Sequence, residues 1–275
     1  MKENILAIPS RDKFRDETLD LLKDSGVQLY FSGRQLGGYA TLPEIEKFKV
    51  VLMKPRDAIK AVEDGNISIG VVGEDVVRET ERTWDGKFYK EKYSPVQQLL
   101  RLGIGRARLV IAAPLSLGLK TKEELETEVA NKQIPRMPKF GPFEQFKGLT
   151  IATGYPYLTM RELNAWTDDR DYPMNLECKY YEMTGSVETA PFIGLSDLIS
   201  DLVETGDTLK ANGLKEIATI FETEGALITN FANRKGSDPF VDVIRDRIFA
   251  TLLERGNPDA LRKQRRYEAF ISSYR

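Results

Sequence analysis

Apolar and polar positions alternate along this chain on two periods. Residues 5–8 are apolar throughout and predict a first strand. Residues 14–24 carry Leu19, Leu21 and Leu22 on helical spacing, and Gly26 follows as a stop signal. Residues 27–31 are strand-like. Residues 48–53 predict a strand that runs into Lys54, Pro55 and Arg56. Pro55 suits a helix start, where its missing N–H costs nothing, and Gly65 ends that helix. Residues 67–72 read as a strand buried on both faces, and Gly73-Glu74-Asp75 opens a further helix. Strands alternating with helices argue for an α/β sheet.

A second set follows. Apolar runs at 96–102 and 108–113 flank a glycine-containing link. Residues 122–131 predict a charged helix. The proline-rich stretch 134–146 reads as a loop or flap, a peripheral insertion. Strands are expected at 149–153 and 178–181, with a helix at 158–165. The run 195–203 is a buried strand or a short helix. Residues 217–221 and 226–230 look like closing strands. Phe240, Ile244, Ile248 and Leu252, spaced by four, mark an amphipathic helix, and 258–274 predict a basic one. This order predicts two α/β lobes with a cleft between them. Lobe I is expected at 1–103 plus 205–230, lobe II at 104–204, and a C-terminal helical extension at 231–275.

Composition narrows the function. The 275 residues hold 40 basic and 42 acidic side chains, net charge −2, so no global positive field recruits nucleic acid. The first nine residues are too short and too charged for a signal peptide, and no apolar run reaches the ~20 residues of a membrane span. Cys178 is the single cysteine, which rules out an intrachain disulfide and reads as a packing residue. A cytoplasmic location is expected. Histidine is absent, which excludes hydrolases with a histidine base and zinc held by histidine. Acid–base work falls to Asp, Glu, Lys, Tyr or the substrate.

The densest chemistry lies at 201–209. Thr205-Gly206-Asp207-Thr208 is a turn in which glycine lets the backbone approach a ligand and N–H groups can cradle a phosphate. Asp201 and Glu204, just before it, suit ribose hydroxyls or a magnesium ion. Together they point to a phosphorylated sugar. The alternative is a plain turn with a helix cap.

The stretch GSVETAPFIGLSDLISDLVETGDTLKANGL (185–214) closely resembles ATP phosphoribosyltransferase. VVGEDV (71–76), LGIGRARLVIAAP (102–114) and IATGYP (151–156) resemble further parts of that family, in the right order, from about residue 5 to 230. The resemblance implies a fold similar to the type II periplasmic-binding-protein architecture. It implies joining of ATP N1 to phosphoribosyl pyrophosphate with release of pyrophosphate, magnesium as cofactor, and a place at the first step of histidine biosynthesis. It also implies residue roles. Lys13, Lys54 and Asp201 are the expected catalytic residues. Arg11, Gly73, Glu74, Thr153, Tyr155, Ser186, Glu188, Glu204, Thr205, Gly206, Asp207, Thr208 and Leu209 are the expected substrate contacts. Asp201 and Glu204 are the expected metal ligands. Family members come with or without a C-terminal regulatory domain. With 45 residues after Asn230, the chain resembles the short form, expected as a homodimer that joins a histidyl-tRNA-synthetase-like subunit.

The resemblance departs at the N-terminal loop. Asp12 stands where the family has glycine, and Lys13 where it has arginine; Lys54 also replaces an expected arginine. Charge survives but the bidentate fork does not, and Arg11 or Arg56 is a candidate substitute. Several candidates also have plain readings. Lys13 and Lys54 are solvated lysines in that reading. Gly73-Glu74-Asp75 is a helix cap, Glu188 a cap partner, and Arg106 and Arg108 structural cations. Arg262, Lys263, Arg265 and Arg266 form a solvated basic face. Two other functions compete with the enzyme: a two-lobed module that binds a phosphorylated ligand without chemistry, and a non-catalytic regulatory paralogue.

Overall fold

The computed structural model describes residues 3–31, 36–84, 89–91, 94–138, 141–169, 172–173, 177–231 and 238–272. In chain order the elements are β1 (Ile5–Pro9), α1 (Asp12–Asp24), β2 (Gln28–Tyr30), β3 (Gly37–Leu42), β4 (Ile45–Met53), α2 (Pro55–Glu63), β5 (Ile69–Gly73) and α3 (Glu74–Glu79). Then come β6 (Arg82–Trp84), β7 (Tyr89–Glu91), β8 (Val96–Arg101), β9 (Ala107–Pro114), α4 (Lys122–Ala130), β10 (Thr150–Thr153), α5 (Pro156–Thr167), β11 (Asp168–Asp169), β12 (Tyr172–Pro173) and β13 (Lys179–Glu182). The chain ends with β14 (Leu198–Val203), α6 (Asp207–Ala211), β15 (Leu214–Thr223), β16 (Gly225–Asn230), α7 (Pro239–Glu254) and α8 (Pro258–Ser272).

These elements form two compact units. Unit 1 comprises Met1–Thr83, Lys90–Arg106 and Glu224–Arg275; unit 2 comprises Trp84–Tyr89 and Ala107–Thr223. Unit 1 is a seven-stranded sheet in the order β2-β3-β4-β1-β5-β16-β8. β1 runs parallel to β4 and β5, and β16 is antiparallel to β5 and β8. The central strands are apolar on both faces because helices cover both, as the runs at 5–8 and 67–72 predicted. Leu21 and Leu22 of α1 pack on Leu6 and Ile8, and Gly26, at φ +84°, ends the helix in a conformation glycine adopts without strain. The hairpin β3–β4 begins at Gly37 and Ile45, so the strand expected at 48–53 is longer and has a partner the pattern did not indicate.

The C-terminal helices are not a separate extension. Phe240, Val241, Ile244, Ile248 and Leu252 of α7 are buried in the unit 1 core, and the Phe240 ring meets Phe48 edge-on at 5.1 Å. Burial of five large apolar side chains, at roughly 1.5–3 kcal/mol each, binds α7 to this sheet.

Unit 2 is a five-stranded sheet in the order β13-β10-β14-β9-β15. β10 is parallel to β13 and β14, and β9 is antiparallel to β14 and β15. The three central strands, β10, β14 and β9, feed two cores by alternation, whereas β15 is bulged at two points. Leu109, Ile111, Ile151 and Leu198 point to one face with Leu158 and Leu163 of α5. Val110, Ala112, Ala152 and Ile199 point to the other with Val187 and Leu209. The division of the chain differs from the expected one at 204/205. Residues 205–223 stay in unit 2, because β15 pairs along its length with β9. The expected flap at 134–146 also changes character. Its second half is a 3-10 turn, Gly141–Phe146, whose Phe143 and Phe146 are buried in the unit 2 core; residues 139 and 140 lie outside the described residues. Cys178 is half-buried and its thiol donates to the Phe146 carbonyl at 3.2 Å, the packing role expected of it.

Candidate active site

In each unit the expected residues collect at the carboxyl ends of the parallel strands, where open α/β sheets expose backbone and loops to ligands. In unit 1, β1 and β4 end together: Pro9 is in register with Met53, and Ser10 N–H donates to the Met53 carbonyl at 3.1 Å. Arg11 and Lys54 follow, each at an N-cap and each exposed. The Lys54 carbonyl accepts from Ala58 N–H at 2.9 Å, so the backbone is committed while the ammonium faces water. Lys13 lies in the first turn of α1, 70% exposed, with Nζ 3.4 Å from Glu17. Asp12 has φ +64°, a left-handed backbone that glycine favours. The departure from the family's glycine is therefore accommodated with the backbone shape intact, since Asp is one of the few other residues that visits this region.

Gly73 and Glu74 stand at the end of β5. Glu74 N–H donates to the Glu224 carbonyl at 2.9 Å. The Glu74 carboxylate is buried and lies 2.7 Å from Arg101 and 3.6 Å from Arg78. Its charge is thus matched inside the protein, and the plain reading of this turn as a structural cap fits that placement.

In unit 2 the period of two sorts the candidates. Along β14, Ser200 points to the α5 face, where it bonds Thr159 at 2.8 Å, whereas Ile199, Asp201 and Val203 point to the opposite face. Thr153, on β10, is fully buried on the α5 side. Its hydroxyl contacts Thr159 at 3.4 Å and accepts the Tyr155 N–H at 2.9 Å. Thr153 therefore shapes the turn after β10 rather than meeting solvent. Tyr155 packs half-buried against the same apolar cluster.

Asp201 shares its face with the 3-10 turn Val187–Thr189 that carries Glu188. Burial pushes the Asp201 carboxyl up to about 6, and the nearby Glu188 charge adds to the rise. Its Oδ1 accepts the Leu202 N–H at 2.8 Å, which limits it. Ser186, at φ +51°, starts that turn, and its carbonyl accepts the Thr189 hydroxyl at 2.8 Å. After β14, Glu204 and Thr205 are exposed. Thr205 Oγ1 donates to Asp207 at 2.7 Å and Gly206 takes φ +86°, a tight turn that opens α6. Thr208 and Leu209 are in its first turn, where backbone N–H groups have no partner four residues back. The Leu209 side chain is buried, so only its backbone faces the turn. The run 195–203, open between strand and helix in the pattern, is a strand from Leu198, and the helix-compatible segment after Gly206 is α6.

The acids suit magnesium. Asp201 and Glu188 repel each other at partial burial, a charge a divalent cation would offset, and magnesium commonly takes one or two carboxylates with the rest from water and phosphates. No cluster of three or more His, Cys, Asp or Glu side chains placed to hold a metal occurs among the described residues.

Other polar groups were not legible in the pattern. Arg108 pairs bidentately with Glu216 and with Thr219 at 2.8 Å, within unit 2. Arg106 faces Glu224 at 3.7 Å. Arg108 is thus held within its own sheet, as its plain reading has it, while Arg106 is mostly exposed. Glu17 accepts the Gly105 N–H at 2.6 Å, a contact 88 residues apart in sequence. Nothing local in sequence signals such pairings.

A family profile described as ATP phosphoribosyltransferase (HisG) matches residues 54–250. The ATP phosphoribosyltransferase of Methanothermobacter thermautotrophicus is 32% identical over 84% of this chain and 67% of its own length. That of Methanococcus maripaludis strain S2 is 30% identical over 82% of this chain and 64% of its own length. The chain thus spans about two thirds of the length of these curated relatives. Among solved structures, the ATP phosphoribosyl transferase (HisG:HisZ) complex from Thermotoga maritima matches with a TM-score of 0.58 and 23% identity, covering 91% of this chain and 99% of that one. The alkanesulfonate-binding protein SsuA from Xanthomonas axonopodis pv. citri matches with a TM-score of 0.52 and 12% identity, over 98% of this chain and 80% of that one. At these identities the two structures support the fold, the two-lobed type II periplasmic-binding-protein class.

Proposed function

The chain belongs to the ATP phosphoribosyltransferase family, and on that premise we propose that it condenses ATP with phosphoribosyl pyrophosphate in the first step of histidine biosynthesis. The carrying observation is the segment 201–209: a buried-side carboxyl on β14, a left-handed Gly206, and the opening turn of α6 in sequence. In this reading the N–H groups of residues 205–209 receive the 5-phosphate, and the side chains of Thr205 and Thr208 supply hydroxyls beside it. Asp207 braces the turn through Thr205.

The adenine N1 lone pair bonds to C1 of the sugar as the C1–O bond breaks, and its electron pair leaves on pyrophosphate. C1 gains positive character in that transition state, and the Asp201 carboxylate stabilises it. Ser186 and Glu188 border the same face, and Glu188 holds the local potential negative. Lys13 and Lys54, with Arg11, supply the cations for the leaving pyrophosphate. Gly73 lets the backbone at the end of β5 come close to substrate. The chemistry is alignment and charge stabilisation, so the absence of histidine is no obstacle. Magnesium, held by Asp201 and Glu204, would neutralise the pyrophosphate charge when bound.

By the same resemblance we place the protein in the cytoplasm as a homodimer that joins a histidyl-tRNA-synthetase-like subunit; the Thermotoga maritima relative is itself a HisG:HisZ complex. No helix among the described residues is long and apolar enough to cross a membrane. The test follows the ultraviolet absorbance of N1-substituted adenine with ATP, phosphoribosyl pyrophosphate, magnesium and pyrophosphatase present. Product formation supports the enzyme. The pairing of Lys13 with Glu17 gives the non-catalytic paralogue a specific foothold. Tight phosphoribosyl pyrophosphate binding without product, even with a partner subunit added, would favour that reading.

A further inference from the structure

Within unit 1, one guanidinium is shared by three carboxylates from three separate stretches of the chain. Arg101, at the end of β8, places its NH2 group 2.7 Å from Glu74, its Nε 3.0 Å from Glu224, and its NH1 group 3.4 Å from Asp259. Glu74 opens α3 directly behind Gly73, Glu224 sits between β15 and β16, and Asp259 is in the first turn of α8. A guanidinium is planar and its donors are fixed relative to one another. All three acids crowd the same guanidinium, so a shift of Arg101 toward one partner changes its distance from the other two.

The partners are poorly replaced by water. Glu74 and Glu224 are buried, and burial pushes the Glu224 carboxyl up. Secondary cations back them: Arg78 lies 3.6 Å from Glu74, Arg106 3.7 Å from Glu224, and Arg262 3.5 Å from Asp259. The start of α8 is seated independently, since Asn257 accepts the N–H groups of Asp259 and Ala260 at 3.0 Å each and Lys263 donates to the Leu99 carbonyl at 3.0 Å. Losing the Asp259 charge therefore need not undock the helix.

We propose that Arg101 is a positioning residue for the Gly73–Glu74 turn, and that Asp259 on the C-terminal helix acts on that turn through it. The seating of α8 and the placement of the turn behind Gly73 are then one coupled state. The consequence for catalysis rests on the proposed transferase activity; the coupling itself does not. The C-terminal helix becomes a place where contact with another subunit reaches the substrate side of unit 1 without touching it.

The test is a double-mutant cycle on Glu74→Gln and Asp259→Asn in the full chain, read two ways. In urea unfolding, the two substitutions are expected to be non-additive in the wild-type background and additive once Arg101 is Gln, or Lys if the Gln variant does not fold. In the transferase assay, Asp259→Asn should lower kcat/KM on the order of fivefold. That loss should vanish when Glu74 is already Gln, and Asp259→Glu should restore most of it. Additive stability effects with Arg101 intact overturn the proposal, as does an Asp259→Asn loss that persists in the Glu74→Gln background. A wild-type chain that shows the unfolding coupling but no transferase activity, even with the partner subunit added, refutes the proposed function and leaves the Arg101 coupling standing.

Discussion

Asp201→Asn should make the protein more stable and less active at once. The wild-type carboxyl is pushed up from 3.8 to about 6, chiefly by burial and then by the Glu188 charge. A group whose folded pKa lies above its unfolded one favours the fold when protonated. Its stabilising share is complete below the unfolded value near 4 and is lost as pH rises through about 6. At pH 8 the ionised side chain therefore costs the fold, at most, about 3 kcal/mol, from ~1.4 kcal/mol per pH unit of displacement. Asparagine keeps the shape and the acceptor for Leu202 N–H but cannot ionise. Urea unfolding should show Asp201→Asn more stable than wild type by about 1–3 kcal/mol at pH 8. The gap should shrink through pH 6 and close below about pH 4. Turnover should fall by about two orders of magnitude, because the charge proposed to face C1 is gone. Magnesium should raise the unfolding midpoint of wild type and leave that of the variant unmoved. Equal stability at pH 8, or a gap that does not close on acidification, would refute the burial argument. Unchanged turnover would remove Asp201 from the site.

Three further outcomes are expected. Lys54→Ala should cut turnover far more than it weakens ATP binding, measured by steady-state kinetics against calorimetry, and unchanged turnover would sink the assignment of this exposed lysine to pyrophosphate. Asp12→Gly should stabilise by up to about 1 kcal/mol, because Asp12 sits at φ +64° and a β-carbon there is strained; a drop in thermal midpoint would contradict it. Ser196→Ala should be neutral or stabilising by about 1 kcal/mol, because the buried Ser196 hydroxyl has no hydrogen-bond partner among the described residues; clear destabilisation would mean that this hydroxyl is satisfied.

Much of the fold was legible because local rules and burial agree here. The apolar runs at 5–8 and 67–72 became central parallel strands, and Pro55 and Gly26 marked a helix start and a helix end as expected. The four-residue spacing of Phe240 to Leu252 became α7. The readings that changed are those that depend on partners far away in sequence. Residues 205–223 went with unit 2 because β15 found β9, and α7 joined the unit 1 core because its apolar face met Phe48 and the sheet. Phe143 and Phe146 turned a proline-rich loop into part of a core.

The sequence by itself determined most of the helices and central strands, a turn at Gly206, and the family, since these rest on backbone propensity, periodicity and a long specific motif. Only the tertiary structure decided which side chains are spent and which face out. Thr153 points to the α5 face and Asp201 to the other, although both lie on paired strands of one sheet, because a side chain's face depends on pleat phase and on what packs there. Glu74 is held by Arg101 and Arg78, and Lys13 is paired with Glu17, while Lys54 keeps its ammonium in water. A charge's role is set by the dielectric and the partners around it, and apart from near neighbours such as Glu17 those are assembled from distant positions in the chain.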